Sequence, residues 1–138
     1  MSGIAPRLQA SFDRQAMMAT LGARMMSCAD GACEITAPIL DLAMQQHGFG
    51  HAGLAFSLGD SAMGYAALSL LPEDREVVTS EVKTNLLAPA RGDGLVARGR
   101  VVKPGRRLIV TLAEVFAQQG DREVAVALLT GTMVPVDP

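Results

Sequence analysis

Charge is what this sequence has least of. Only 19% of its residues are charged and the formal net charge is -2. The basic surface that nucleic-acid binding requires is missing. The opening stretch, MSGIAPRLQASFDRQ, has no apolar core and an early proline, so no secretory signal peptide is expected. There are two cysteines, Cys28 and Cys33, with no second pair or nearby histidine to complete a metal set. They read as reduced thiols, and the expected location is the cytoplasm. One long apolar run exists, residues 52–71, but Asp60 sits in its middle, among glycines and Ser57, Ser61 and Ser69. A carboxylate at the centre of a span is expensive, so no membrane segment is expected. Repeats, linkers and low-complexity segments are absent too.

What remains is a chain of 138 residues, enough for one domain with a real core, expected to run over 1–138. Its hydrophobic fraction of 49% is rich for a small monomer, which points to surface buried against another subunit. Residues 8–21 read as one helix, with Leu8, Phe12, Met17 and Leu21 as its apolar stripe. GACEITAPI reads as a strand, and LDLAMQQHGFGH as irregular. The Ala- and Leu-rich stretch after Gly50 is too long for a strand. It predicts a helix of about five turns ending before Pro72.

Four strands follow. In VVTSEVKTNLLAP, Val78, Val82 and Leu86 fall on one side. GLVARGRVV comes next, then RLIVTLAEVFAQQ, then a turn with Gly120 and Asp121 at its tip, then EVAVALLTGTMVPV. This order implies an α+β fold, one antiparallel sheet with a long helix on one face. The third of these strands is apolar on both sides: Leu108, Val110 and Leu112 on one, Ile109, Ala113, Val115 and Ala117 on the other. One side can cover the helix. The other requires a second cover, so a homo-oligomer is expected, with a tetramer favoured over a bare dimer.

QQHGFGHAGLAFSLGDSAMGYAAL, then VTSEVKTNLLAPARGDGLVARGRVVKPGR, then VALLTGT, resembles the hotdog-fold acyl-CoA thioesterases of the phenylacetic-acid-degradation type. The resemblance covers residues 8–134. It implies a hotdog fold, an antiparallel sheet wrapped around one long central helix, and hydrolysis of an acyl-CoA, with coenzyme A as part of the substrate and no further cofactor or metal. Two positions depart from the family pattern. Its His-Gly-Gly is His51-Ala52-Gly53 here, and its amide position is Gln45, where many relatives have Asn.

The resemblance makes Asp60 the nucleophile or the general base that activates water. On a helix, Asp60 shares its face with Gly53, Phe56, Ser57, Met63, Gly64 and Ala67, a mostly small surface that lets a ligand approach. The acyl group is then expected near Phe56 and Met63. Backbone N–H groups of Ala52 and Gly53 at the helix start would hold the carbonyl oxygen as charge develops. Gln45 would polarise the carbonyl or hold water, His51 would shape the loop or act as a base, and Thr79 would position the water. His47 reads as a solvated loop residue. Arg91, Lys103, Arg106 and Arg107, in or near turns between the late strands, are candidates for the phosphates of coenzyme A.

Ala52 and Asp60 are eight residues apart, and a helix rises 1.5 Å per residue, so about 12 Å separates them. One carbonyl carbon cannot touch both. A site that uses both must be shared between two subunits, and the family resemblance implies the same. Two other readings belong to different classes. One is a non-catalytic acyl-CoA binder on the same fold, which leaves Asp60 without a purpose. The other is a hotdog dehydratase, which needs a histidine and a carboxylate in one site, whereas His51 and Asp60 are expected on opposite sides of the helix.

Overall fold

A computed structural model describes residues 3–138. The chain begins with two short helices, α1 (Pro6–Asp13) and α2 (Ala16–Thr20), where one was expected. Gln15 between them is extended, with φ -79° and ψ 98°. The break changes the helical phase. Leu8, Phe12 and Leu21 are buried as read, but Met18 takes the inward place given to Met17, which is 58% exposed.

An unexpected strand follows. β1 (Arg24–Ala29) pairs with β2 (Ala32–Ala37) through a tight turn at Asp30 and Gly31. A bulge between Met25 and Ser27 puts its buried residues, Met25 and Cys28, three apart. Period-two reading has no purchase on such a strand. Cys28 lies opposite Cys33, and both are buried free thiols.

The long helix is α3 (Ala52–Leu68), and four strands follow it: β3 (Glu76–Leu86), β4 (Gly94–Pro104), β5 (Ile109–Gln119) and β6 (Arg122–Val136). All six strands form one sheet in the order β1-β2-β4-β5-β6-β3, antiparallel throughout. The sheet wraps α3, as expected for an α+β hotdog fold. After α3 the chain runs to the far side, so β3 becomes an edge strand beside β6.

Twelve of the 17 residues of α3 are buried. Leu58, Ala62, Met63, Ala66 and Ala67 are shut off from solvent completely. The helix lies so close to β4 that a Cβ on Gly99 would stand 2.4 Å from the Ala62 carbonyl carbon. No side chain fits there. At its other flank, a Cβ on Gly59 would stand 2.8 Å from a Leu129 methyl. β5 turns Ile109, Thr111, Ala113, Val115 and Ala117 inward. Its other side is only partly covered: Val110 is 42% exposed, and Leu108, just before the strand, is 54% exposed.

The C-terminal end of α3 leaves carbonyls without intrahelical partners. Arg7 reaches across from α1 to meet them. Its guanidinium donates to the carbonyls of Leu68 at 3.0 Å, Leu71 at 3.0 Å and Pro72 at 2.9 Å. A fixed cation at the negative end of the dipole adds to the hydrogen bonds.

Two changes test this packing. Gly99→Ala should destabilise the fold by about 3 kcal/mol, because the clash is with backbone that cannot rotate away. Arg7→Ala should cost about 2 kcal/mol and lower the thermal midpoint by about 6 °C. Differential scanning calorimetry of the two variants reads both.

Candidate active site

The exposed line along α3 is narrow. Gly53, Phe56, Asp60 and Gly64 stand at helical spacing and are the positions between Gly53 and Leu68 that retain access to solvent. The rest of the helix is packed. Asp60 is therefore half-buried, and its carboxylate is held from outside the helix. Thr79 Oγ1 donates to Asp60 Oδ1 at 2.8 Å.

A bulge places that hydroxyl. The register of β3 against β6 shifts between Thr79 and Glu81. Before the shift, Val77 packs on the core and Thr79 meets α3; after it, Val82 packs on the core. The stripe of Val78, Val82 and Leu86 is consequently broken. Val78 points away from the helix and is 51% exposed, while Leu86 stays on the side of Val82 and, 59% exposed, lines a cleft with Ala52 and Ala55 of α3. Without the bulge, Thr79 and Val82 could not both face α3.

Two clefts meet at Asp60. The larger, about 530 Å³, is mostly apolar, lined by Met17, Met18, Leu21, Leu42, Leu54 and Phe56. The smaller, about 150 Å³, is mostly polar and includes Ser11, Tyr65, Glu76 and Thr79. Gln15, Asp60 and Ser61 line both. A hydrogen-bonded chain runs along this boundary. Ser61 Oγ donates to Gln15 Oε1 at 3.2 Å, Gln15 Nε2 donates to the Tyr65 hydroxyl at 3.2 Å, and that hydroxyl lies 3.0 Å from Ser11 Oγ. Burial pushes the Tyr65 phenol above its ordinary pKa, against the hydrogen bond from Ser11.

Sequence reasoning missed this network. Its members come from α1, the α1–α2 break and α3, and no motif joins them. The usable signal was the pairing of Ser61 and Tyr65 four apart on the helix.

The N-terminus of α3 differs in one respect from expectation. His51 is its N-cap, and His51 Nδ1 accepts the Gly53 N–H at 2.7 Å. Gly53 is therefore not a free donor. The Ala52 N–H has no hydrogen-bond partner among the described residues. Ala52 also lines a third cleft of about 290 Å³, walled by Phe49, Leu86, Leu87, Pro89 and Val126. His51 lines this cleft and the large apolar one. It is not on the opposite side of the helix from Asp60, as expected, because it precedes the helix rather than belonging to it. Met63 is fully buried, so it lines none of the surface beside Asp60.

Gln45 sits in the loop before α3. Its Oε1 accepts the His47 N–H and its own N–H donates to the Phe49 carbonyl at 2.9 Å. It does not line either cleft beside Asp60. His47 is exposed, as expected.

The four cations separate into two groups. The Arg91 guanidinium lies 4.8 Å over the Phe49 ring, beside the cleft of Ala52. Lys103, Arg106 and Arg107 lie at the other end of the β4–β5 hairpin. At about 3.3 Å per residue, the length of β4 keeps the two groups roughly 30 Å apart. Within one chain they cannot serve one ligand phosphate. Among the described residues no three histidine, cysteine or acidic side chains converge as a metal set. Nor is any described helix long and apolar enough to cross a membrane.

Comparison with known proteins agrees with this geometry. Residues 47–124, more than half of the chain, match the thioesterase superfamily. A thioesterase family protein of Silicibacter pomeroyi superposes with a TM-score of 0.93 at 43% identity, over 96% of this chain and 97% of that one. The Escherichia coli PaaI protein, from the phenylacetic acid degradation operon, superposes at 0.82 with 28% identity, over 92% and 88%. A hypothetical thioesterase of Streptococcus pneumoniae, solved with coenzyme A, does so at 0.80 with 25% identity, over 94% and 97%. This chain belongs to the thioesterase superfamily and is a hotdog-fold thioester hydrolase.

Proposed function

We propose that the protein hydrolyses an aryl- or medium-chain acyl-CoA to the free acid and coenzyme A, in a site shared by two copies of the chain. The observation that carries this reading is the placement of Asp60. It stands where an apolar cleft fit for an acyl group meets a polar cleft fit for water, held by Thr79. Asp60 takes a proton from water in the polar cleft as the water's oxygen attacks the thioester carbon. The tetrahedral intermediate then expels the thiolate of coenzyme A.

The developing oxyanion needs a donor. The Ala52 N–H is that donor, with the positive end of the α3 dipole behind it. It lies eight residues from Asp60, about 12 Å along the helix, so the pair serving one thioester comes from two copies. The free edge of β3 supports such pairing. It is an 11-residue edge strand, Val78 and Leu86 are exposed on it, and Thr79 ties it to Asp60. The exposed Leu108 and Val110, at the start of β5, give a second contact and make the assembly a dimer of dimers.

Arg91, beside Phe49, is the cation this reading gives to the coenzyme A phosphates. Lys103, Arg106 and Arg107 would reach a coenzyme A only from another copy. His51 is the cap that shapes the oxyanion loop, and Gln45 supports that loop from its side. Coenzyme A is part of the substrate, and the reaction requires no further cofactor. The free thiols Cys28 and Cys33 agree with a reducing cytoplasm.

Thiol release from phenylacetyl-, benzoyl-, hydroxybenzoyl- and hexanoyl-CoA tests the reaction. Asp60→Asn should fold like the parent and lose about 10²–10⁴ in kcat. Binding of these esters without turnover by the parent would establish a binder instead.

The shared site has its own test. Proline is tolerated at the first position of a helix but has no N–H. Ala52→Pro should therefore keep α3 and lose about 10²–10³ in kcat. When Ala52→Pro and Asp60→Asn chains are refolded together, each hybrid pair carries one intact site. Roughly a quarter of parental turnover should return. No recovery, in mixtures shown by mass spectrometry to contain hybrids, would refute sharing.

A further inference from the structure

Gln15 stands at the N-cap of α2, yet its side chain makes no cap bond to that helix. The side chain crosses to α3 instead. Its Oε1 accepts from Ser61 Oγ at 3.2 Å, and its Nε2 donates to the Tyr65 hydroxyl at 3.2 Å. Tyr65 is in turn packed edge-on against Phe12, with ring centroids 5.8 Å apart. A long flexible side chain held at both ends has little freedom left, so the amide is fixed in place. It is fixed at the reacting end, because Gln15, Asp60 and Ser61 together line both the apolar and the polar cleft.

Three groups there keep unused hydrogen-bonding capacity. Thr79 holds Asp60 Oδ1, and Oδ2 has no partner among the described residues. A primary amide carries two N–H donors, and the Tyr65 hydroxyl takes one of those on Gln15. Ser61 has given its only hydroxyl proton to Gln15, so its oxygen offers lone pairs alone. We infer that Gln15 holds the attacking water, its second Nε2–H donating to the water oxygen while Asp60 Oδ2 and Ser61 Oγ accept from the two O–H groups; this role rests on the acyl-CoA reading.

A water molecule has two donors and two lone pairs. The two acceptors take both donors and Gln15 takes one lone pair, so one lone pair is left for the thioester carbon. The polar cleft, of about 150 Å³, has room for this water. In the reaction the O–H bond to Asp60 breaks as the new C–O bond forms. The C–S bond then breaks, and sulfur leaves with its electron pair. The thiolate takes the proton from Asp60, which becomes a carboxylate again. Gln15 gives up no atom in this sequence; it sets where the water sits.

Gln15→Met keeps the length of the side chain and removes the N–H donors. With hexanoyl-CoA its kcat should fall about 10²-fold while KM stays where it was. In the Asp60→Asn background the same change should cost less than about threefold, because groups that act as a unit lose their activity together. A merely structural role would add its full loss to that of Asp60→Asn. An unchanged kcat in Gln15→Met, a raised KM alone, or additive losses in the double variant overturns the inference and leaves the thioesterase reading intact. Absence of thiol release by the parent defeats the acyl-CoA reading, and the inference with it. Should Gln15→Met fail to fold, as read by its thermal melt, Ser61→Ala removes one acceptor for the water and frees the amide. Its kcat should fall about tenfold at unchanged KM, again with little further loss beside Asp60→Asn. An unchanged kcat or an additive loss there overturns the inference equally.

Discussion

The close approach of α3 to β4 is the constraint on which the rest depends. Where Gly99 passes Ala62 there is no room for even a methyl group. A helix that close is covered by the sheet along most of its circumference. It must then be built of small and apolar residues, because a buried polar side chain needs a partner and a large one has no space. Its buried serines obey the rule by bonding nearby: Ser57 to the Gly53 carbonyl at 2.7 Å and Ser61 to Gln15. The end of the helix is tied down by Arg7, which donates to the carbonyls of Leu68 and Leu71.

The same constraint explains why the site is narrow. Once the sheet has taken most of α3, a single line of positions keeps access to solvent, and Asp60 is its charged member. A carboxylate that is partly dry is costly unless something holds it. The edge strand supplies the hold, because its bulge turns Thr79 inward at the level of Asp60. An interior strand could not be displaced in this way without breaking ladders on both sides. At an edge only one ladder is affected, so the bulge costs less there.

Much of this could be read from the residues. The long helix announced itself by length, by its Ala and Leu content and by Pro72 beyond its end. Strands β4 and β5 alternate clearly, and β5 and β6 share one tight turn at Gly120 and Asp121. What escaped reading has a common cause: local departures from regular period. The break at Gln15 shifted the inward residue from Met17 to Met18, and bulges hid β1 and parted Val78 from the side of Val82 and Leu86 in β3. A one-residue slip moves every later side chain to the other face, and nothing in the composition of VVTSEVKTNLLAP marks the slip. Asp60 and Thr79 were singled out because a motif carries them, and the structure brings them within hydrogen-bond distance. Gln15 was not, because its place follows from where α1 ends rather than from any pattern of its own.

At the helix start, the family resemblance places glycine where this chain has Ala52. Alanine takes the backbone there without strain: Ala52 is the first residue of α3, and Asp30 is the only described non-glycine residue with positive φ. The position has a helical backbone and an N–H without a partner among the described residues, and alanine is compatible with both. Gly53, the next residue, has already given its N–H to His51. The histidine cap thus takes one of two adjacent peptide N–H groups and leaves the other, that of Ala52, without a partner among the described residues. His51 fixes the first turn through its bond to the Gly53 N–H. The methyl group of Ala52 then becomes part of the cleft wall with Phe49, Leu87 and Val126. The departure from glycine thus changes the shape of the entrance while leaving the hydrogen-bond donor in place.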